Sequence, residues 1–358
     1  MQKFIFTKTY VFISIALIFC NFSNAQNLNS STPNIKGYSI NKLDTLKTFL
    51  EKSGASSMMV LIDGEVIFEW GNTSEKHIIH SIRKPLIHSL IGIAVAEKKI
   101  DTSMTMKDLN IQDINPKLSN FELSARISDL LKSKSGVYHL SAAMTKNMRN
   151  NLPERNRYKP GKYYFYNNWD FNTLGAILEQ QTEKSIYELF KNQIAEPLGM
   201  KDYKGISMDI DGDSKEEVNL VTIDGYYKYQ KSKSKYPAYH FRMSSRDLAL
   251  FGQLYLNDGV WNGKQIVPKE WIKVSMKPYS MIDEEKGIAY GMLWKLHLAE
   301  NKKDIISFYH TGLEMQLLGI YPESKMVIVH RVNTEKEYNY DKANLEQTIQ
   351  LVFDAKLK

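Results

Sequence analysis

A serine and a lysine three residues apart, Ser81 and Lys84, form an S-x-x-K pair directly ahead of the apolar run 86–96. On a helix, positions i and i+3 share one face, so the hydroxyl and the amine would lie about one turn apart. A serine becomes a nucleophile when a neighbouring base takes its proton, and a lysine can do this if its surroundings keep it neutral. The pair is therefore a candidate nucleophile and base.

The S-x-x-K pattern is common, and two further copies stand at Ser39–Lys42 and Ser232–Lys235. Nothing around those two copies would take their lysines out of water. Only the Ser81 copy leads into a helix that is apolar on nearly all faces, which predicts burial. Pro85 fits the first turn of that helix, where backbone N–H groups lack intrahelical partners. Ser81 alone is also compatible with a plain helix N-cap, and both interpretations stand at this point.

A tyrosine and an asparagine two residues apart, Tyr166 and Asn168, form a Y-x-N pattern before a predicted helix. A phenol beside a serine–lysine pair can carry a proton between nucleophile and leaving group, and an amide side chain can position a substrate. The alternative is a buried aromatic residue next to a helix cap. A second match, Tyr255 to Asn257, ends an amphipathic helix, where asparagine is an ordinary stop residue.

The triplet His310-Thr311-Gly312 ends a predicted strand. Its glycine would let a substrate approach the strand edge closely, and the next backbone N–H could face an oxyanion. Two similar triplets, 52–54 and 134–136, fall at predicted helix ends, where glycine is the expected C-cap. Only the triplet at 310–312 is therefore a candidate for binding.

In this order along the chain, the three motifs resemble those of the serine β-lactamase and penicillin-binding-protein superfamily. The chain is most similar to the class C β-lactamase-like serine hydrolases, which include esterases, D-amino-acid peptidases and 6-aminohexanoate-dimer hydrolases. The resemblance covers roughly residues 40–355 and includes the connecting stretches 129–138, 166–172 and 246–252. It implies hydrolysis of a small ester, amide or peptide through an acyl-serine, with no cofactor and no metal.

Carried over residue by residue, the resemblance implies three groups of site residues. Ser81 would be the acylated nucleophile, Lys84 its base partner and Tyr166 the second proton carrier. The residues that would bind substrate are Asn168, His310, Thr311 and Gly312, and the backbone N–H groups of Ser81 and Leu313 would form the oxyanion hole.

One departure from the family pattern is His310, which stands where many β-lactamases and transpeptidases have lysine. An imidazole holds a substrate carboxylate less firmly than a fixed ammonium does. The departure favours esters or small amides over β-lactams. The alternatives are a β-lactamase or D,D-carboxypeptidase and, in a different class, a catalytically silent envelope-binding module that retains the fold.

Residues 1–25 have the pattern of a secretory signal peptide: two lysines, an apolar run over 11–19, and the small residues Ser23-Asn24-Ala25 before the expected cleavage site. We therefore expect export to the periplasm or the extracellular space, without stable membrane insertion after cleavage. Cleavage would also remove Cys20, which is the only cysteine, and with it any disulfide or thiolate site. Residues 26–39 are predicted to be a flexible leader, and 40–357 the hydrolase-like domain.

The hydrophobic periodicity of residues 40–357 predicts an α/β fold of the α+β type. Strands are expected at 57–63 and 65–70 around Asp63-Gly64, and again at 292–297, 305–310, 315–321 and 326–333. Helices are expected between them and at 344–357. This pattern predicts one antiparallel sheet built from both ends of the chain and flanked by helices. The sheet lobe would cover about 40–95 and 237–357, and a mostly helical lobe about 96–236.

Other chemistries lack their signatures. The chain has no G-x-S-x-G, H-E-x-x-H, phosphate-loop or dinucleotide pattern. The acidic stretch 209–213 lacks the glycine and glutamate of a calcium loop, and His77, His80 and His88 are interpreted as structural. The net charge of +7 is too diffuse to indicate nucleic acid, and the basic aromatic run 226–236 is interpreted as a solvated loop. No pattern indicates an oligomeric state.

Overall fold

Strands from the two ends of the chain meet in one sheet, where β1 pairs with β14 in antiparallel register from Ser57↔Arg331 to Ile62↔Met326. The computed structural model describes residues 28–114, 116–214 and 218–357. The predicted signal peptide 1–25, with Cys20, and the first two residues of the predicted leader lie outside this range. The predicted antiparallel sheet built from both termini is confirmed.

The main sheet is eight-stranded and has the order β2-β1-β14-β13-β12-β11-β10-β9. A four-stranded sheet has the order β3-β6-β5-β4, and β7 and β8 form a separate pair. The strands are β1 (Ser57–Ile62), β2 (Glu65–Gly71), β3 (His77–Ile78), β4 (Ser207–Asp211), β5 (Gly225–Tyr229), β6 (Ala238–Met243), β7 (Val260–Trp261), β8 (Lys264–Gln265), β9 (Ser280–Asp283), β10 (Ile288–Tyr290), β11 (Lys295–Leu298), β12 (Ile305–Gly312), β13 (Gln316–Tyr321) and β14 (Met326–Arg331).

Helices cover both faces of the main sheet. The α-helices are α1 (Ile40–Ser53), α2 (Arg83–Ala96), α3 (Ile127–Leu131), α4 (Lys146–Asn150), α5 (Asn168–Thr182), α6 (Ile186–Phe190), α7 (Glu196–Leu198), α8 (Ser245–Leu256), α9 (Lys269–Ser275) and α10 (Lys342–Asp354). Helix α8 packs against β1, β13 and β14, while α1 and α10 pack against each other. Among the described residues, no helix combines the length and apolar character needed to cross a bilayer.

Every residue of β14 is buried, and its side chains alternate between the two faces of the sheet. Val327 and Val329 belong to the large core beneath α2, α5 and α8. Met326 and Ile328 point the other way, into the smaller core that includes residues of α1 and α10. Because both faces are covered, the first four residues of the strand form an unbroken apolar run in the sequence.

The basic aromatic run 226–236, which we interpreted as a solvated loop, overlaps β5, and β4 precedes it in the chain. The interpretation of 226–236 as a solvated loop is wrong for its first residues, which form β5. Tyr226 is buried and stacks on His240, with ring centroids 4.7 Å apart. Tyr227 contacts the ring of Tyr187 on α6 at 4.9 Å. The tyrosines have enough apolar surface to anchor this edge of the small sheet, although the segment is rich in lysine.

Helix α2 is the predicted apolar helix, and all its residues from Arg83 to Ala94 are buried. Gly92 allows the close approach of α9, because a Cβ there would lie 2.2 Å from the indole of Trp271. Burial on all sides places this helix in the middle of the molecule and gives its first turn a rigid position. The proposed division into a sheet lobe and a helical lobe stays a prediction.

We expect Glu122→Gln to destabilise the protein at neutral pH. Glu122 is fully buried and accepts hydrogen bonds from His139 Nε2 at 3.0 Å and Arg155 Nε at 2.9 Å. Burial opposes its ionisation, but these bonds and one from the Ser119 backbone lower its pKa from 4.5 to about 2. Breaking such a buried pair costs roughly 3 kcal/mol.

The stabilisation by Glu122 should be complete above pH 4.5 and disappear as the pH falls towards 2, since the folded-state pKa is the lower one. Urea unfolding at pH 7 and pH 3 measures it. The control is Glu97→Gln, which breaks an exposed pair with Lys99 and should cost less than about 1 kcal/mol. Equal losses for the two variants at pH 7 would contradict the prediction.

Candidate active site

Ser81 lies in a one-turn 3-10 helix, His80–Ile82, that leads directly into α2. Its side chain makes no helix-capping hydrogen bond, because Ile82 occupies the cap position of α2. The N-cap interpretation is therefore wrong. Instead Ser81 Oγ lies 3.0 Å from Lys84 Nζ. The turn places the two side chains together as their i, i+3 spacing predicts.

The amine of Lys84 is taken out of water, and the residue is 1% exposed. The nitrogen lies 4.7 Å from the ring centre of Tyr166 and 4.4 Å from that of Phe171. Burial holds the pKa of Lys84 well below its usual value, and the positive charges of Arg83 and Lys295 lower it further. Both effects favour the unprotonated amine, which is the form that can accept a proton.

The half-buried Tyr166 stands just before α5 and is oriented by the start of that helix. Asn167 caps α5 by accepting a hydrogen bond from Trp169 N at 3.1 Å, and its amide donates to Val137 O at 2.7 Å. Burial raises the pKa of Tyr166, although a hydrogen bond with Ser81 opposes the rise. The phenol is therefore protonated at neutral pH and lies within reach of the serine.

The predicted substrate residue Asn168 is the first residue of α5 and is buried. Its Nδ2 donates to Ala143 O at 2.7 Å, and one turn later Asn172 Nδ2 donates to Ala142 O at 3.1 Å. These bonds fix the loop at 142–143, where Ala143 has the left-handed φ of 58°. Part of the Asn168 amide thus holds the protein itself, and its contact with a substrate stays a prediction.

His310 is fully buried on β12 and its ring contacts Tyr166 at 6.3 Å between centroids. Its Nδ1 lies 3.1 Å from Thr311 O, while Nε2 is buried and has no hydrogen-bond partner among the residues that the structure describes. Burial holds the pKa of His310 well below its usual value, and the positive charge of Lys295 acts in the same direction. The imidazole is therefore neutral at neutral pH.

Gly312 lets the end of β12 approach the turn that carries Ser81. A Cβ at this position would lie 2.7 Å from Ile79 O and 3.4 Å from the Cβ of His80. The following residues Leu313 and Glu314 have φ of 49° and 62°, and Met315 N donates to Gly312 O at 3.0 Å. Two larger residues in left-handed conformation store strain in this tight hairpin, as is common at functional sites.

The end of β12 offers a free strand edge. Pairing with β13 continues to Gly312↔Gln316, whereas pairing with β11 stops at Tyr309↔Lys295. Thr311 therefore lies beside the gap where β11 has already turned away. Lys295 Nζ lies 3.4 Å from Thr311 Oγ1, which adds an amine at this edge. No sequence pattern singled out Lys295, since it stands in the middle of an ordinary strand segment.

The turn with Ser81 is held in place from the main sheet. The fully buried Arg331 donates from Nη2 to His77 O at 3.0 Å, and Gln316 Nε2 donates to Ile78 O at 3.1 Å. His80 has a left-handed φ of 48°, and its Nε2 lies 2.7 Å from Thr334 Oγ1. Its backbone strain is offset by these fixed neighbours, which set the direction of the Ser81 side chain.

The remaining candidates of the sequence lie apart from this cluster. His88 is buried against Trp271, at 5.2 Å between ring centroids, and its Nδ1 lies 2.7 Å from Tyr255 Oη. It has the structural role that we expected. In the acidic stretch 209–213, Asp213 accepts a hydrogen bond from Ser232 Oγ at 2.7 Å. Within the described ranges, no group of histidine and acidic side chains is placed to hold a metal ion.

The family model described as Beta-lactamase matches residues 44–352 of the chain. Among solved structures, the chain is similar to a putative 6-aminohexanoate-dimer hydrolase from Bacillus anthracis, with 21% identity, a TM-score of 0.63, and 92% of this chain and 86% of that one covered.

It is also similar to an octameric penicillin-binding protein homologue from Pyrococcus abyssi, with 20% identity and a TM-score of 0.64. The match covers 89% of this chain and 78% of that one. A family VIII carboxylesterase is similar with 13% identity and a TM-score of 0.61, and the match covers 92% of this chain and 99% of that one. At these identities the solved structures show that the fold is shared.

We expect Gly312→Ala to destabilise the protein by about 1–3 kcal/mol, because the added methyl group forces β12 away from the turn with Ser81. Gly212→Ala is the matched control. There the added Cβ would meet only the flexible side chains of Lys228 and Gln230. Urea unfolding measures both, and a Gly312→Ala variant as stable as the Gly212→Ala variant would contradict the close packing of strand and turn.

Proposed function

We propose that this chain, which belongs to the beta-lactamase family, is an exported serine hydrolase that cleaves an ester or amide bond through a covalent acyl-serine. The observation that carries the proposal is the contact of 3.0 Å between Ser81 Oγ and the buried amine of Lys84. A solvated lysine would be protonated and could not act as a base. Export rests on the signal-peptide pattern of residues 1–25.

In the acylation step, Ser81 Oγ attacks the substrate carbonyl carbon while its proton passes to Lys84 Nζ. The oxyanion that forms is stabilised by the backbone N–H groups of Ser81 and Leu313. Tyr166 donates its phenolic proton to the leaving alcohol or amine and recovers a proton from the Lys84 ammonium. The bond to the leaving group breaks, and the acyl group stays on Ser81.

In the deacylation step, a water molecule attacks the acyl carbon and gives its proton to the same pair of groups. The ester bond to Ser81 breaks, the acid leaves, and the serine hydroxyl is restored. Tyr166 suits the role of proton donor because burial keeps its phenol protonated at neutral pH. Asn168 and the edge of β12 at Thr311 would hold the substrate during both steps.

The neutral His310 favours esters and small amides as substrates. Its imidazole is buried and carries no charge that could fix a carboxylate at this position of β12. One observation favours the second candidate, a β-lactamase or D,D-carboxypeptidase. The amine of Lys295, 3.4 Å from Thr311 Oγ1, supplies positive charge at the same strand end.

A non-catalytic envelope-binding module is the alternative from another class. A pure binder has no use for a buried base beside a serine, since burial of an amine lowers stability. The combination of Ser81, Lys84 and Tyr166 therefore favours the enzyme.

We expect a fluorophosphonate probe to label the wild-type protein on Ser81 and to leave Ser81→Ala unlabelled. Mass spectrometry of the adduct peptide identifies the modified residue. Lys84→Met should label at least about a hundredfold more slowly, because the base is missing. Labelling of Ser81→Ala at the wild-type rate would refute the assignment, and an unlabelled wild type that still binds peptidoglycan would support the binding module.

We expect p-nitrophenyl esters of short acids to be hydrolysed with a higher kcat/KM than nitrocefin or D-amino-acid amides. The reason is the missing fixed charge at His310. Initial rates for this panel, with Ser81→Ala as the blank for each substrate, measure the preference. A higher kcat/KM for nitrocefin would instead assign the protein to the β-lactam-hydrolysing members and give Lys295 the carboxylate-binding role.

A further inference from the structure

Arg83, which stands between the proposed nucleophile and base, is a buried cation without a counter-charge. It is 3% exposed. Its contacts are long, with Nη1 3.5 Å from His240 Nδ1 and Nη2 3.4 Å from Asn172 Oδ1. Its Nε is buried and has no hydrogen-bond partner within the described ranges. The Tyr239 ring lies 4.8 Å from its Cζ. In the part of the chain that the structure describes, no carboxylate forms a salt bridge with it.

Other buried arginines of this protein are well satisfied. Arg331 donates at 2.9 Å to Gln316 Oε1 and at 2.7 Å to Met243 O, in addition to its hydrogen bond to the carbonyl of His77. Arg242 makes a bidentate pair with Glu335 at 2.7 and 2.8 Å. A buried charge that lacks such partners is unfavourable for folding and calls for another explanation.

The charge of Arg83 acts on the amine of the next residue, Lys84. A guanidinium stays protonated in proteins, so Arg83 supplies a fixed positive charge. A second positive charge nearby, on the lysine, is then disfavoured. After burial, Arg83 is the largest contribution to the lowered pKa of Lys84, ahead of Lys295. The charge of Lys295 is in turn partly offset by Glu314.

We propose that Arg83 is a positioning residue whose fixed charge keeps the Lys84 amine unprotonated and ready to take the proton of Ser81. The inference rests on the proposed acyl-serine mechanism. The other titratable or charged groups around Lys84 are Tyr166 before α5, Lys295 on β11, His310 on β12, His80 in the turn before α2 and His240 on β6.

The three imidazoles and Tyr166 do not replace Arg83 as a source of fixed charge. Burial is the first cause that lowers the pKa of each of the three imidazoles, which are therefore neutral at neutral pH. Tyr166 is protonated and uncharged. Of the two cations that lower the pKa of Lys84, Lys295 is partly offset by Glu314, whereas Arg83 forms no salt bridge within the described residues.

The test compares Arg83→Met, which removes the charge at similar length, with Arg83→Lys, which keeps it. The rate of Ser81 labelling by a fluorophosphonate and kcat/KM for a p-nitrophenyl ester are measured from pH 5 to 10. In Arg83→Met the acidic midpoint should move up by about one pH unit, because Lys84 becomes easier to protonate. At pH values below both midpoints its rate should fall about tenfold, and it should recover towards the wild-type value at high pH.

Arg83→Lys should keep the acidic midpoint within about 0.3 pH unit of wild type, because the charge remains. Arg246→Met is the control for loss of one arginine, since Arg246 pairs with Asp202 at the start of α8. The acidic midpoint of the Arg246→Met variant should equal that of wild type. A rate that falls equally at all pH values in Arg83→Met, or an equal shift in Arg83→Lys, would show that Arg83 acts only by packing and would overturn the inference.

A direct titration covers the case in which Arg83→Met does not fold. The Cε resonance of Lys84 in 13C-lysine-labelled wild-type protein, assigned with Lys84→Met, should titrate well below the ordinary range of lysine, and higher in Arg83→Gln. An ordinary titration in wild type overturns the inference. A folded wild type that is never labelled on Ser81 defeats the proposed function itself, whereas normal labelling with an unmoved midpoint defeats only the role of Arg83.

Discussion

The desolvation of one amine is the constraint on which the rest of the structure depends. Lys84 is buried between the rings of Tyr166 and Phe171 and within hydrogen-bonding distance of Ser81. An amine in this position is neutral, since burial disfavours its charged form. The fully buried α2 and the start of α5 together create that environment. The same burial that makes the site reactive is unfavourable for stability, so the surrounding core must be large.

The second requirement is that the serine turn and the end of β12 stay in contact. Their closeness depends on Gly312, and strained backbone conformations lie on both sides, at His80 and at Leu313. Arg331 on β14 and Gln316 on β13 donate hydrogen bonds to the carbonyls of β3, which leads into this turn. Both segments that would form the oxyanion hole thus contain strained backbone, and the antiparallel sheet behind them supplies the rigidity.

Much of the fold could be predicted because its signals are local. The Asp63-Gly64 turn and the apolar runs of β13 and β14 gave bounds within a few residues of those observed. The small sheet β3-β6-β5-β4 was missed, since β3 is two residues long and β5 is rich in tyrosine and lysine. These strands are stabilised by contacts far apart in the chain, such as Tyr187 with Tyr227, which no local pattern records.

The sequence by itself determined the spacing of Ser81 and Lys84 and the order of Tyr166 and His310 after them. Helical geometry converts the first into a contact, because residues three apart on a turn share a face. Only the tertiary structure decided that Lys84 and His310 are neutral, that Arg83 has no carboxylate partner among the described residues and that Lys295 lies beside Thr311. Desolvation and charge pairing depend on every neighbour in space, and these neighbours come from distant parts of the chain.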